Sequence, residues 1–154
     1  MSEVIKREGD FFTKLANHMD MDPSTLAKYE IYTEVPLTTQ GGFMKADIVF
    51  VKRKLANNTI DNVIIIENKL SSSTHFTKRQ KEAWKKLANG EDLYINYRRI
   101  EVTDSELKVT NSDFFSADNI KTFKVHSNAR NTDVSNVSIE AIDVNEFKNY
   151  TPRN

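Results

Sequence analysis

Between Val4 and Met19 the apolar residues Val4, Ile5, Phe11, Phe12, Leu15, Ala16 and Met19 recur at helical spacing, which predicts an amphipathic helix. Asp20–Ser24 breaks that pattern. Tyr29–Val35 is rich in aromatic and β-branched residues and closes at Pro36, the mark of a strand near a sheet edge. Thr38–Gly42 reads as a flexible loop. Ala46–Val51 and Asn62–Glu67 are two further strands, and the polar Lys52–Asp61 connection between them, with Asn57-Asn58 near its middle, predicts an antiparallel hairpin. Thr77-x-x-Gln80 fits a capping box opening a helix with Ala83, Trp84 and Leu87 on one face, and Gly90 stands where a terminating glycine belongs. Leu93–Tyr97 is then expected to return parallel to Val63–Glu67. Beyond it, Glu106–Thr110, Ile120–Val125 and Val137–Val144 are short β-like pieces among polar turns, Ser127–Asn136 being polar throughout.

Composition narrows the class. The 154 residues carry 22 Lys+Arg against 22 Asp+Glu and no cysteine, which excludes a disulfide scaffold, a zinc-thiolate site and a thiol nucleophile. One α/β domain over 1–154 is expected, and its remainder beyond residue 97, with those short β-like pieces, reads as an accessory β-rich region. The longest aliphatic run, Val63–Ile66, is far too short to span a bilayer, and Met1–Lys6 shows no export signal, so no membrane contact and a cytoplasmic setting are expected. The neutral total hides an uneven distribution. Residues 101–154 hold six Lys/Arg and nine Asp/Glu, whereas Lys69–Lys86 holds six bases against Glu82 alone. Such a stretch is either a solvated helix face or a contact for a phosphate-bearing partner.

Charges that contradict their surroundings carry the chemistry, because a buried ion is costly unless compensated. Glu67-Asn68-Lys69 directly follows four aliphatic residues of a central strand, and Glu67 and Lys69, two apart, project from one face. Folding the hairpin about Asn57-Asn58 brings Asp47 opposite Glu67 or Asn68. Two converging carboxylates repel, and a hard divalent cation such as Mg²⁺ relieves them. At about 100° per residue Glu8 lies in the middle of the first helix's apolar stripe, where an acid needs a partner. A salt-bridged strand end, a strand-edge aspartate and a snorkelling glutamate are the respective structural alternatives. His18, His75 and His126 lack zinc-ligand spacing, and Gly41-Gly42 lacks the lysine and helix of a phosphate loop and reads as a turn or mobile loop.

Asp47, Glu67-x-Lys69 after a run of aliphatics, and Gln80 on the following helix together resemble the PD-(D/E)xK nuclease superfamily. Glu8 is similar to the extra acid of its Holliday-junction-resolvase-like branch, and Ile64–Lys69 with Thr77–Trp84 resembles nuclease domains of polymorphic bacterial toxins. The likeness covers roughly 4–97; Ala46 replaces the usual proline, and Glu34 is an alternative first acid. The resemblance implies a restriction-endonuclease-like αβββαβ core, with a mixed central sheet flanked by helices.

It further implies a Mg²⁺- or Mn²⁺-dependent endonuclease acting on DNA in preference to RNA. Asp47, Glu67 and the Asn68 carbonyl would hold the metal, with Glu8 as an additional ligand. Lys69 would orient the attacking water and stabilise developing charge, staying protonated beside two acids, and Gln80 would position water or phosphate. Lys78, Arg79, Lys81, Lys85, Arg98 and Arg99 are the expected contacts to the nucleic-acid backbone. A toxin domain implies cleavage of transfer RNA as an alternative and a cognate immunity protein as partner; a resolvase implies a homodimer. The rival class is a non-catalytic nucleic-acid-binding or protein-interaction module on the same fold.

Overall fold

The computed structural model describes residues 9–56, 59–69, 75–95, 114–126 and 138–151. Its centre is a five-stranded mixed sheet. Helix α1 (Gly9–His18) and the short α2 (Pro23–Leu26), capped by Asp22, lead into β1 (Glu30–Thr39), β2 (Gly42–Arg53) and β3 (Ile60–Lys69). Helix α3 (Lys78–Ala88) follows, then a two-stranded antiparallel ribbon of β4 (Leu93–Tyr94) and β5 (Phe114–Phe115). Strands β6 (Ile120–His126) and β7 (Ser138–Ala141) complete the main sheet in the order β1-β2-β3-β6-β7, and a 3-10 turn covers Val144–Phe147.

Only the β3–β6 pair is parallel, with Val63 beside Ile120 and Lys69 beside His126. The strand parallel to β3 is therefore β6, not Leu93–Tyr97. Leu93 and Tyr94 pair with Phe115 and Phe114, and Ile95 makes an isolated antiparallel bridge to Leu37 of the edge strand β1, so this piece lies at the β1 edge and not beside β3. Short apolar runs of similar composition compete for the slot beside β3, and burial on both faces favours β6, whose Phe123 and Val125 fill one core while Thr122 is buried on the other side. The region expected to be accessory thus supplies two strands of the main sheet.

Two apolar clusters sandwich the sheet. Leu15, Ala16 and Met19 of α1 pack on Ile48, Phe50, Ile64 and Ile66; Ala83 and Trp84 of α3 pack on Val49, Val51, Val63 and Ile65. Each fully buried large side chain contributes about 1.5–3 kcal/mol. Strand β1 runs through Pro36, where the expected strand stopped, because an edge strand tolerates a missing N–H. The expected flexible loop at Thr38–Gly42 is instead a tight turn at Gln40-Gly41, whose Gly41 N–H donates to Glu82 Oε1 on α3 at 3.2 Å. No helix among the described residues is long and apolar enough to cross a membrane.

Candidate active site

The β2–β3 register pairs Ile48 with Ile66, and one further step sets Asp47 against Glu67. Side-chain alternation along β3 then turns Glu67 and Lys69 toward α3, on the side of Val63 and Ile65. Glu67 is 0% exposed. Its Oε2 accepts from Gln80 Nε2 at 3.1 Å, and its Oε1 is buried without a hydrogen-bond partner. Gln80 Oε1 accepts both from Lys69 Nζ at 2.7 Å and from the Thr77 N–H at 2.9 Å. Those donors fix the orientation of the amide. Gln80 therefore closes the capping box of α3 and links Lys69 to Glu67 with the same side chain. Asp47 Oδ2 accepts the Asn68 N–H at 2.7 Å, tying the second carboxylate to the end of β3.

Burial first, then the charge of Asp47 and contact with its carboxyl, together push the Glu67 carboxyl up to about 9, with Lys69 and the Asp47 backbone N–H working in the opposite sense. Burial also holds Lys69 below the usual lysine value, outweighing the pull of Glu67 and Asp47, and Lys124 adds to the lowering. This reverses the expectation that two neighbouring acids would keep its proton tightly bound. That expectation counted charges and omitted desolvation. Lys69 also lies over the Phe76 ring at 5.0 Å, and Phe76 packs edge-on against Trp84 and Phe147.

The hairpin is kinked at this site. On β1, Ile31 packs toward α1 but Val35 and Leu37 pack toward α3; on β2, Ile48 and Ala46, two residues apart, join opposite cores. Since Thr33 pairs with Ile48 and Val35 with Ala46, the residues at the change of face are Glu34 and Asp47, across from each other. Glu34 has φ +52, a left-handed conformation that a side-chain-bearing residue adopts at a cost. It is exposed, so of the two proposed first acids Glu34 sits beside Asp47 in register and outside the buried pair. Glu8, Arg98 and Arg99 lie outside the described residues.

The basic residues of α3 are mostly engaged within the molecule. Arg79 pairs with Glu82 at 3.0 Å and lies over Gly41, Lys81 sits over the Tyr150 ring at 5.6 Å, and Lys85 donates to the Tyr150 carbonyl at 2.8 Å. Lys78, at the first position of the helix, is exposed. The contacts of Lys81 and Lys85 were invisible in the sequence because Tyr150 is 65 residues from Lys85 along the chain. The same long reach hid Lys124, His126 and Glu140. Lys124 stands beside Glu67 and His126 beside Lys69 in the parallel register, and Glu140 of β7 pairs with Lys124 at 3.3 Å. The two-residue spacing of Lys124 and His126 marks them as sharing a face; only the sheet order shows whose neighbours they are.

Comparison with protein-family models, with curated proteins and with solved structures finds no match.

Proposed function

We propose that this chain is a metal-dependent nuclease hydrolysing phosphodiester bonds, DNA in preference to RNA, with the αβββαβ order of a restriction-endonuclease-like core. The observation that carries this reading is the wholly buried Glu67, whose Oε1 has no partner and which stands beside a second carboxylate at the end of a central strand. An oxygen left without a donor is costly in a folded interior. A carboxylate pair of this kind, all oxygen in its donor atoms, fits Mg²⁺ or Mn²⁺. Among the described residues no third acid or histidine joins the pair, so a cation bound there would keep several waters.

Asp47 and Glu67 would hold the metal, which when bound polarises a phosphoryl oxygen and lowers the pKa of water. The rest falls to side chains present here. Gln80 holds the Lys69 amine and the Glu67 carboxylate at fixed separation, so that neither must reorganise as substrate arrives. Lys69 donates to a non-bridging phosphate oxygen and orients the attacking water. Hydrolysis forms a bond from that water oxygen to phosphorus and breaks the bond to the leaving ester oxygen, which gains a proton.

The test is incubation of the purified chain with plasmid, branched DNA and total transfer RNA in Mg²⁺, Mn²⁺ or EDTA, beside Glu67→Gln and Lys69→Ala. Cleavage that needs metal and disappears in both folded variants is the expected result. Intact substrates throughout, with a cooperatively folded wild type, would overturn it.

A further inference from the structure

Beyond the carboxylate pair, the α3-facing side of the sheet continues across β6 and β7 as a second charged group. Lys124 and His126 project from β6 on the face that carries Glu67 and Lys69, since Phe123 and Val125 fill the opposite core. Adjacent strands lie about 4.8 Å apart, so these side chains border the proposed catalytic residues directly. Glu140 reaches them from β7. One of its oxygens is 3.3 Å from Lys124 Nζ and the other 3.6 Å from His126 Nε2, a nitrogen that is buried without a hydrogen-bond partner. Glu140 sits on the sheet's outer strand and its side chain is 47% exposed, against 21% for Lys124 and 15% for His126. The cationic side of this contact is thus built into the sheet, while the anionic side is free to swing into solvent.

Two carboxylate oxygens spanning two nitrogen groups on one strand reproduce the way two oxygens of a phosphodiester would be held. We propose that Lys124, with His126 beside it, binds a backbone phosphate of the nucleic acid next to the one cleaved, and that Glu140 occupies this position until substrate displaces it. The inference rests on the nuclease reading and extends it by running the nucleic-acid backbone over β6, on the side of β3 away from the β1–β2 hairpin.

Substitutions at the two ends of one ion pair make the test. If the pair only braces the sheet, Lys124→Gln and Glu140→Gln harm the protein in the same direction. If Glu140 stands in for phosphate, they move nucleic-acid affinity in opposite directions. Binding of labelled duplex DNA and labelled transfer RNA by fluorescence anisotropy in EDTA, across a salt series, reads this without cleavage. The expected result is affinity about fivefold weaker for Lys124→Gln with a salt slope shallower by about one, and affinity several-fold tighter for Glu140→Gln. Lys121→Gln removes the same charge from the opposite face of β6 and should leave affinity within about twofold. Weaker binding by both members of the pair, or a Lys124→Gln effect no larger than that of Lys121→Gln, overturns the proposal. Cleavage by the wild type in Mg²⁺, run in parallel, separates the two claims: with cleavage intact, such results remove only the phosphate site. A wild type that neither binds nor cleaves either probe removes the nuclease reading and this site with it.

Discussion

Glu67 and Glu82 are both buried acids touching the first turns of α3, and their surroundings drive them in opposite directions. Glu82 is opposed by burial, but hydrogen bonds from Arg79 and the Gly41 N–H, with the Arg79 charge, bring its carboxyl below the ordinary value. Glu67 has one amide donor, an orphaned oxygen and Asp47 beside it, and its carboxyl rises to about 9. The first is an acid whose charge the fold has satisfied. The second is an acid whose ionised form the chain leaves uncompensated, so that it holds its proton, which is the arrangement of a group awaiting a cation.

The largest expected effect comes from the uncompensated acid. Glu67→Gln keeps the shape and should lower metal-dependent cleavage by about 10³-fold or more while leaving thermal stability unchanged or higher, as read by initial rates and by thermal melts. Glu82→Ala should do the reverse: it strands the Gly41 N–H and Arg79, costing about 1–3 kcal/mol in a urea titration. A melting temperature equal to wild type would show that this contact contributes nothing. Smaller still is Gly41→Ala. Its Cβ would fall 1.8 Å from an Arg79 guanidinium nitrogen, so the arginine must leave Glu82, at about 1 kcal/mol in the same titration.

Linkage to pH sharpens the comparison by sign. Glu67 holds its proton in the folded chain and loses it near 4.5 in the unfolded one. Stability in EDTA therefore falls as pH rises from about 4.5 to about 9, and Glu67→Gln should flatten that fall. Glu82 runs the other way: its folded value lies below 4.5, so its contribution is present above 4.5 and disappears as pH drops through the folded value. Melts of Glu67→Gln and of Glu82→Gln beside the wild type from pH 4 to 9 check the two signs. Added Mg²⁺ should raise the melting temperature of the wild type at pH 8 and not that of Glu67→Gln.

Local signals made much of this legible. The aliphatic run Val63–Ile66 identified a central strand, a hairpin folded midway between the two strands put Asp47 opposite Glu67 or Asn68, of which the register selects Glu67, and Thr77 with Gln80 opened α3. Each depends on residues close in sequence, or paired across a single turn, where periodicity and turn chemistry are informative. A site role for Gln80 came only with the resemblance, and its link between Lys69 and Glu67, the kink at Glu34 and Asp47, and the sign of the Lys69 shift were beyond reach. They depend on burial and on the angle at which α3 meets the sheet.

Composition and pattern determined the mixed α/β class, three successive strands with the second and third as an antiparallel hairpin, the helix after them and the meeting of Asp47 with the Glu67–Lys69 end of β3. The fold decided which strand lies parallel to β3, that β6 and β7 join the main sheet, and that Lys124, His126 and Glu140 stand next to Glu67 and Lys69. Pairing across a long connection is settled by which run best fills the space left on both faces of a central strand, and that space exists only once the rest of the sheet has formed.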